Sequence, residues 1–182
     1  MNLFYLHEEP VQAAMYNCDV HCNKMLLELV QILVNCFPES ELPNMPLTQK
    51  NTIRKYSHYN HPTSKWVRQN TNHIDWTIRH AKQLEEERIL RGMNPHFVSD
   101  TLQWIVDNRD RMIKYPTFTF VVPPPAIATT TTCRQRIVNF DSKNRVDQYR
   151  LYYVFDKPFA SWTYRDTPEW FSEMKQRYHL TN

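Results

Sequence analysis

Between Cys18 and Asn35 the chain reads CDVHCNKMLLELVQILVN, and within this stretch the polar residues His21, Lys24, Glu28, Gln31 and Asn35 recur at steps of three, four, three and four. On an α-helix that spacing puts them in one narrow line. The apolar residues Met25, Leu26, Leu27, Leu29, Val30, Ile32, Leu33, Val34 and Cys36 cover well over half of the circumference. That is wider than a surface helix needs, so the pattern predicts a long central helix, capped by Asp19 and ending near Phe37. Two readings of the polar line stay open. It is either the one solvated strip of a mostly buried helix, with Lys24 and Glu28 as a weak intrahelical pair, or one wall of a polar cleft.

The remaining pattern is also helical. Pro10 opens a short helix through PVQAAMYN. The stretch PESELPNMPLTQ, broken by three prolines, reads as a loop. A helix or helix pair resumes at Thr63, with Ile74, Ile78, Ala81 and Leu84 as its core-facing stripe, and Gly92 stands where helix C-termini favour glycine. Further helices are expected in HFVSDTLQWIVDN after Pro95, in RVDQYRLYYVF, and in TPEWFSEMKQRY, where Thr167 caps and Pro168 takes the first turn. Between 115 and 132, YPTFTFVVPPPAIATTTT is a proline-rich extended segment with room for one short strand. The expectation is a mainly α fold in a single domain over residues 1–182, with one long central helix.

Composition sharpens this picture mainly by exclusion. The chain has one glycine in 182 residues. Phosphate-cradling loops, the dinucleotide fingerprint and tight hairpins all need glycine at positive φ or at close approach, so none can be built. The length suffices to bury a core without metal or disulfide support. Four cysteines at 18, 22, 36 and 133 lack a disulfide framework and read as reduced. Cys18, His21 and Cys22 supply soft ligands but no fourth group, which favours small buried cysteines over a metal, and no cofactor is expected. No membrane-length apolar run and no leader pattern is found, so a cytoplasmic protein is expected.

Charge changes the picture most. From Lys50 to Lys82 the chain carries Lys50, Arg54, Lys55, Lys65, Arg68, Arg79 and Lys82 against the single acid Asp75, which leaves the rest net acidic although the whole is +3. Interleaved are Tyr56, Tyr59, Trp66 and Trp76, four of the eight histidines, and the amides Asn60, Gln69, Asn70 and Asn72. Cations for phosphate, flat rings for stacking and amides for base edges are what nucleotide and single-stranded nucleic-acid sites use. Each also has a plainer use: tryptophans pack cores, His61 before Pro62 shapes a turn, and arginines are solvated. Because Asn72, Trp76, Arg79 and Gln83 share a stripe away from the core side, Trp76 has less reason to be there for packing. Lys24, Asn60, Trp66, Arg68, Asn72, Trp76 and Arg79 are therefore the candidate ligand-binding residues. His61, His21 and Glu28 are the candidates for moving a proton.

The blocks MNLFYLHEEPVQAAMYNCDVHCNKM, HYNHPTSKWVRQNTNHIDW, QYRLYYVFDKPFASW and PEWF resemble those of a family of small proteins of no established activity encoded by tailed bacteriophages. By that resemblance Asp19, His21, Lys24, His61, Pro62, Trp66, Trp76, Arg150 and Trp162 occupy motif positions, while PPPAIATTTT departs from the family pattern. The resemblance implies a viral protein acting in the cytoplasm of an infected bacterium. Two function classes follow: an enzyme of phage nucleotide or DNA metabolism or modification, or a module that only binds, for instance one that sequesters a nucleotide signal of bacterial defence.

Overall fold

The computed structural model describes residues 1–117, 123–125 and 131–180. Its helices are α1 (Pro10–Met15), α2 (Asp19–Val34), α3 (Pro62–Val67), α4 (Thr71–Leu90), α5 (Ser99–Asp107), α6 (Thr132–Arg136), α7 (Arg145–Asp156) and α8 (Glu169–Arg177), with 3-10 turns at Glu39–Asn44, Arg109–Arg111 and Phe140–Ser142. The fold is mainly α, and among the described residues there is no strand. Residues 118–122 and 126–130, where the short strand was expected, lie outside the described residues.

Local chemistry sets the helix ends. Pro10 and Pro62 occupy first turns, where a missing N–H costs nothing. Asn70 and Asn144 cap α4 and α7 through their side chains. At the other end of α4, Gly92 adopts φ +73° while Gly92 N–H donates to Ile89 O and Met93 N–H to Arg88 O, the paired bonds of a Schellman ending. Two expected caps and one expected loop differ. Cys18, not Asp19, is the N-cap of α2; the Asp19 carboxylate instead holds Arg91 at 3.0 Å and the Thr163 N–H at 2.7 Å. At α8 the cap is Pro168 without any side-chain bond, so Thr167 does not serve. The 39–44 stretch tightens into a 3-10 helix that tolerates Pro43 because it is so short.

Two long helices, rather than one, organise the core. The 16-residue α2 buries nine side chains, as its wide apolar face requires. The 20-residue α4 packs against α1, α2, α3 and α5, and its Ile74, Ile78, Ala81 and Leu84 stripe is buried as the pattern predicts. An ion cluster ties these helices to the chain before α8. Glu87 is fully buried, and it meets Arg91 at 3.1 Å and takes both prongs of Arg165 at 2.6 Å. A buried carboxylate with two guanidinium partners keeps its charge satisfied, and loss of either partner strands the other.

All four cysteines are free and buried, and burial pushes the Cys22 and Cys36 thiols up to about 12. Among the described residues no group of His, Cys, Asp and Glu is placed to hold a metal, and no helix is long and apolar enough to cross a membrane.

Candidate functional site

The N-terminal segment is bent to reach α2. Phe4 sits at φ 45°, a left-handed value uncommon for a bulky side chain, between the Asn2 side chain, which accepts the Phe4 N–H at 2.9 Å, and the Leu6 N–H, which donates to Phe4 O at 2.7 Å. Such a conformation costs about 1–3 kcal/mol and persists only where its surroundings hold it. Here the Phe4 ring lies flat on His21, centroids 4.3 Å apart, and the Asn2 N–H donates to Glu28 Oε2 at 2.8 Å. This segment, α2, the start of α3 and the end of α7 enclose a cleft of about 480 Å³.

Its polar groups come from all four walls. Lys24 and Glu28 face each other one helical turn apart, Nζ to Oε1 3.8 Å, with the lysine side chain 67% exposed and the glutamate 17%. Across the cleft, Lys157 holds its ammonium 4.4 Å over the Tyr152 ring. His21 is almost fully buried, with Nδ1 in a short hydrogen bond to the Tyr153 hydroxyl. Burial first, then Lys157 and Lys24, lower its pKa to about 3, so it is neutral across the ordinary range. His61 caps α3, its Nδ1 accepting the Thr63 N–H at 3.2 Å, and burial lowers its pKa as well. The Tyr149 hydroxyl donates to Pro125 O at 3.3 Å and closes one side. Two lysine ammonium groups, two imidazoles and one carboxylate can hold an anion and accept from an amino group, beside a half-buried Tyr152 ring that already carries Lys157 and stacks on Phe4 at 6.1 Å.

Of the residues singled out in the sequence, His21, Lys24, Glu28 and His61 converge on this cleft. The far end of the same polar line does not. Asn35 is fully buried and exchanges two hydrogen bonds with the Ser57 backbone, so its amide is spent on a loop.

Asn60, Trp66, Arg68, Asn72, Trp76 and Arg79 are not among the residues lining the cleft. Trp66 is 3% exposed and stacks on His73 at 4.2 Å. The expectation that Trp76 is poorly explained by packing is corrected. It is 4% exposed, stacks on His80 at 4.9 Å, and donates Nε1–H to Glu8 O at 2.6 Å. Arg68 lies 3.3 Å over the Tyr59 ring and donates to the Tyr59 and Ser64 carbonyls, while Asn60 sits exposed in the preceding turn. Asn72, Trp76 and Arg79 do line a second hollow of about 420 Å³, but they share it with Glu8, Glu9 and Asp75. Arg79 is paired there to Glu9 at 3.3 Å and Asp75 to Arg109 at 2.9 Å, so the three carboxylates outnumber the cations beside them and disfavour a phosphate.

Sequence reasoning missed Asn2, Phe4, Tyr149, Tyr152 and Lys157. A signal existed in QYRLYYVFDK, where Tyr149 and Tyr152 stand one helical turn apart and Lys157 follows at the helix end. Of the nine positions that the resemblance singled out, His21, Lys24, His61 and Pro62 line the cleft. Comparison with family models, curated proteins and solved structures returns no match to this chain.

Proposed function

We propose that the chain binds a phosphorylated nucleotide, free or at the end of a single strand, in the cleft between α2, α3 and α7. The observation that carries this reading is the meeting of Lys24 and Lys157, 133 positions apart in the chain, on one hollow that Tyr152 also lines. Lysines attract one another only through what lies between them, and an anionic ligand relieves their mutual repulsion. A base stacks on the Tyr152 ring by taking the place of the Lys157 ammonium, which turns to the phosphate, and Glu28 Oε1, shared with Lys24 at 3.8 Å, accepts from an exocyclic amine. A volume near 480 Å³ suits a small ligand such as one nucleotide, not a duplex.

The resemblance to phage proteins extends the proposal: the ligand would be met in an infected bacterium, either as an intermediate of phage DNA metabolism or as a defence signal to be sequestered. A thermal-shift and mass-spectrometric screen against nucleoside monophosphates, cyclic dinucleotides and short DNA tests it. At a ligand concentration of a hundred times Kd, binding stabilises the fold by about 2.7 kcal/mol, a shift of several degrees in Tm. The expected result is such a shift for a nucleotide, lost in the Lys24→Ala, Lys157→Ala double variant. No shift with any member of the panel, or a shift that survives the double variant, overturns the reading. A ligand recovered chemically altered assigns catalysis; one recovered intact assigns binding alone.

A further inference from the structure

Both imidazoles of the cleft are engaged through the same ring atom. The fully buried Tyr153 hydroxyl accepts the Cys18 N–H at 3.1 Å and meets His21 Nδ1 in a short contact. Its single hydrogen has two acceptors within reach, His21 Nδ1 and Cys18 Sγ at 3.5 Å. An imidazole nitrogen accepts strongly and a thiol sulfur weakly, so the Tyr153 hydroxyl keeps its hydrogen and donates it to a bare Nδ1. At the opposite wall, the Thr63 N–H donates to His61 Nδ1, and that nitrogen can accept only when it carries no hydrogen. A neutral imidazole with Nδ1 bare has its proton on Nε2.

We propose that His21 and His61 serve the cleft as neutral Nε2–H donors to an anionic oxygen, with Tyr153 the positioning residue that sets the His21 tautomer, and that neither imidazole works as a base. The anion rests on the nucleotide reading above; the tautomers do not, since they belong to the unliganded protein. Electrostatics agree with the geometry. His21 faces Lys24 from its own helix and Lys157 from beyond α7, and a third positive charge there would be repelled. An uncharged N–H adds a hydrogen bond to the anion without that repulsion. His61 likewise stays neutral, because protonation would cost it the α3 cap and it is partly removed from water.

The test is a long-range nitrogen–carbon NMR correlation on the labelled, ligand-free protein at pH 7, read alongside binding of deoxyadenosine monophosphate. Expected are a protonated Nε2 and a bare Nδ1 in both rings. Tyr153→Phe should spread His21 over both tautomers and weaken deoxyadenosine monophosphate by about twofold, the cost of leaving about half of the rings with Nε2 protonated. His61→Gln, which keeps an amide donor near the place of Nε2, should bind within about threefold of wild type, while His61→Ala should lose about tenfold. A protonated Nδ1 in either ring of the wild-type protein overturns the assignment, and that spectrum decides even if Tyr153→Phe does not fold. So does an unchanged His21 tautomer in a folded Tyr153→Phe, or a turnover that His61→Gln abolishes. Should deoxyadenosine monophosphate and the wider panel all fail to bind, the nucleotide reading falls while the tautomers still decide the donor assignment.

Discussion

The polar line of α2 and the basic aromatic segment from Lys50 to Lys82 advertise the same chemistry and end in opposite places. In the first, His21, Lys24 and Glu28 face a cleft; in the second, most of the suggestive groups are turned on the protein itself. Trp66 and Trp76 stack on His73 and His80, Arg54 donates to the Pro46 and Leu47 carbonyls, and Arg68 covers Tyr59. What separates them is the partner. A buried ring stacked on a neighbouring imidazole serves the fold, whatever its composition suggests, whereas Lys24 keeps its side chain 67% exposed at the mouth of a cleft beside its one weak partner, Glu28.

The largest effect that follows is on stability. Trp66→Ala and Trp76→Ala each remove a buried ring and its stacking on an imidazole, and each should cost about 3–5 kcal/mol in urea unfolding. Nucleotide affinity of the folded fraction should not change. If either variant keeps its stability and loses ligand, the basic segment is the site and the contrast drawn here collapses.

Next in size is the response to acid, which both regions share. His21 in the cleft and His80 in the packed segment are both held near pKa 3 by burial, against about 6.5 in the unfolded chain. Below about pH 6.5 the unfolded state therefore binds protons that the folded state refuses, and stability falls as pH falls from 7 toward 3. At pH 5 the loss is on the order of 2 kcal/mol for each ring. His80→Gln should remove its own share of that slope, leaving the contributions of His21 and of His61, His73 and His96, whose pKa values burial also lowers, and should leave affinity alone. A stability that stays flat between pH 7 and 5 would show that neither imidazole is shielded as described.

These residues also mark how far a sequence can be read. The polar line of α2 is local and follows from helical period, and the stripe of Ile74, Ile78, Ala81 and Leu84 is legible for the same reason. The other cleft wall is not local. Tyr152 and Lys157 reach Lys24 only after the whole chain has folded back, and no spacing rule carries across that separation. Trp76 fails differently. Its stripe suggested exposure, but the N-terminal strip of chain lies across that face, bringing Tyr5 to 5.2 Å and the Glu8 carbonyl to the indole N–H. Composition cannot distinguish a ring waiting for a base from a ring already stacked on a neighbouring imidazole.

A third prediction sharpens the cleft itself. Lys24→Ala and Lys157→Ala should each weaken a bound nucleotide by about tenfold, since a charge-assisted bond to phosphate is worth roughly 1.5–3 kcal/mol and part of it is screened. Both should leave Tm nearly unchanged, because Lys24 is itself 67% exposed in a pair no closer than 3.8 Å and Lys157 gives up only its contact with the Tyr152 ring. Calorimetry at rising salt should show a modest decline in affinity; a steep one would point to a long polyanion lying across the surface instead.

The smallest effect is expected at Arg79, and it is the most discriminating. Its guanidinium is 58% exposed and pairs with a Glu9 side chain that is 67% exposed, so the bridge is screened and Arg79→Ala should alter stability by less than about 0.5 kcal/mol. The same residue borders the second hollow, beside Asn72 and Trp76, where the sequence stripe pointed. Glu8, Glu9 and Asp75 make that hollow hostile to phosphate, so affinity should be untouched, in contrast to the tenfold loss expected at Lys24. Titrating both variants against one nucleotide compares the two hollows directly. Should Arg79→Ala lose affinity while Lys24→Ala keeps it, the ligand lies against α4 and the N-terminal acids, and the chemistry carried by the α2 line is only the solvated edge of a buried helix.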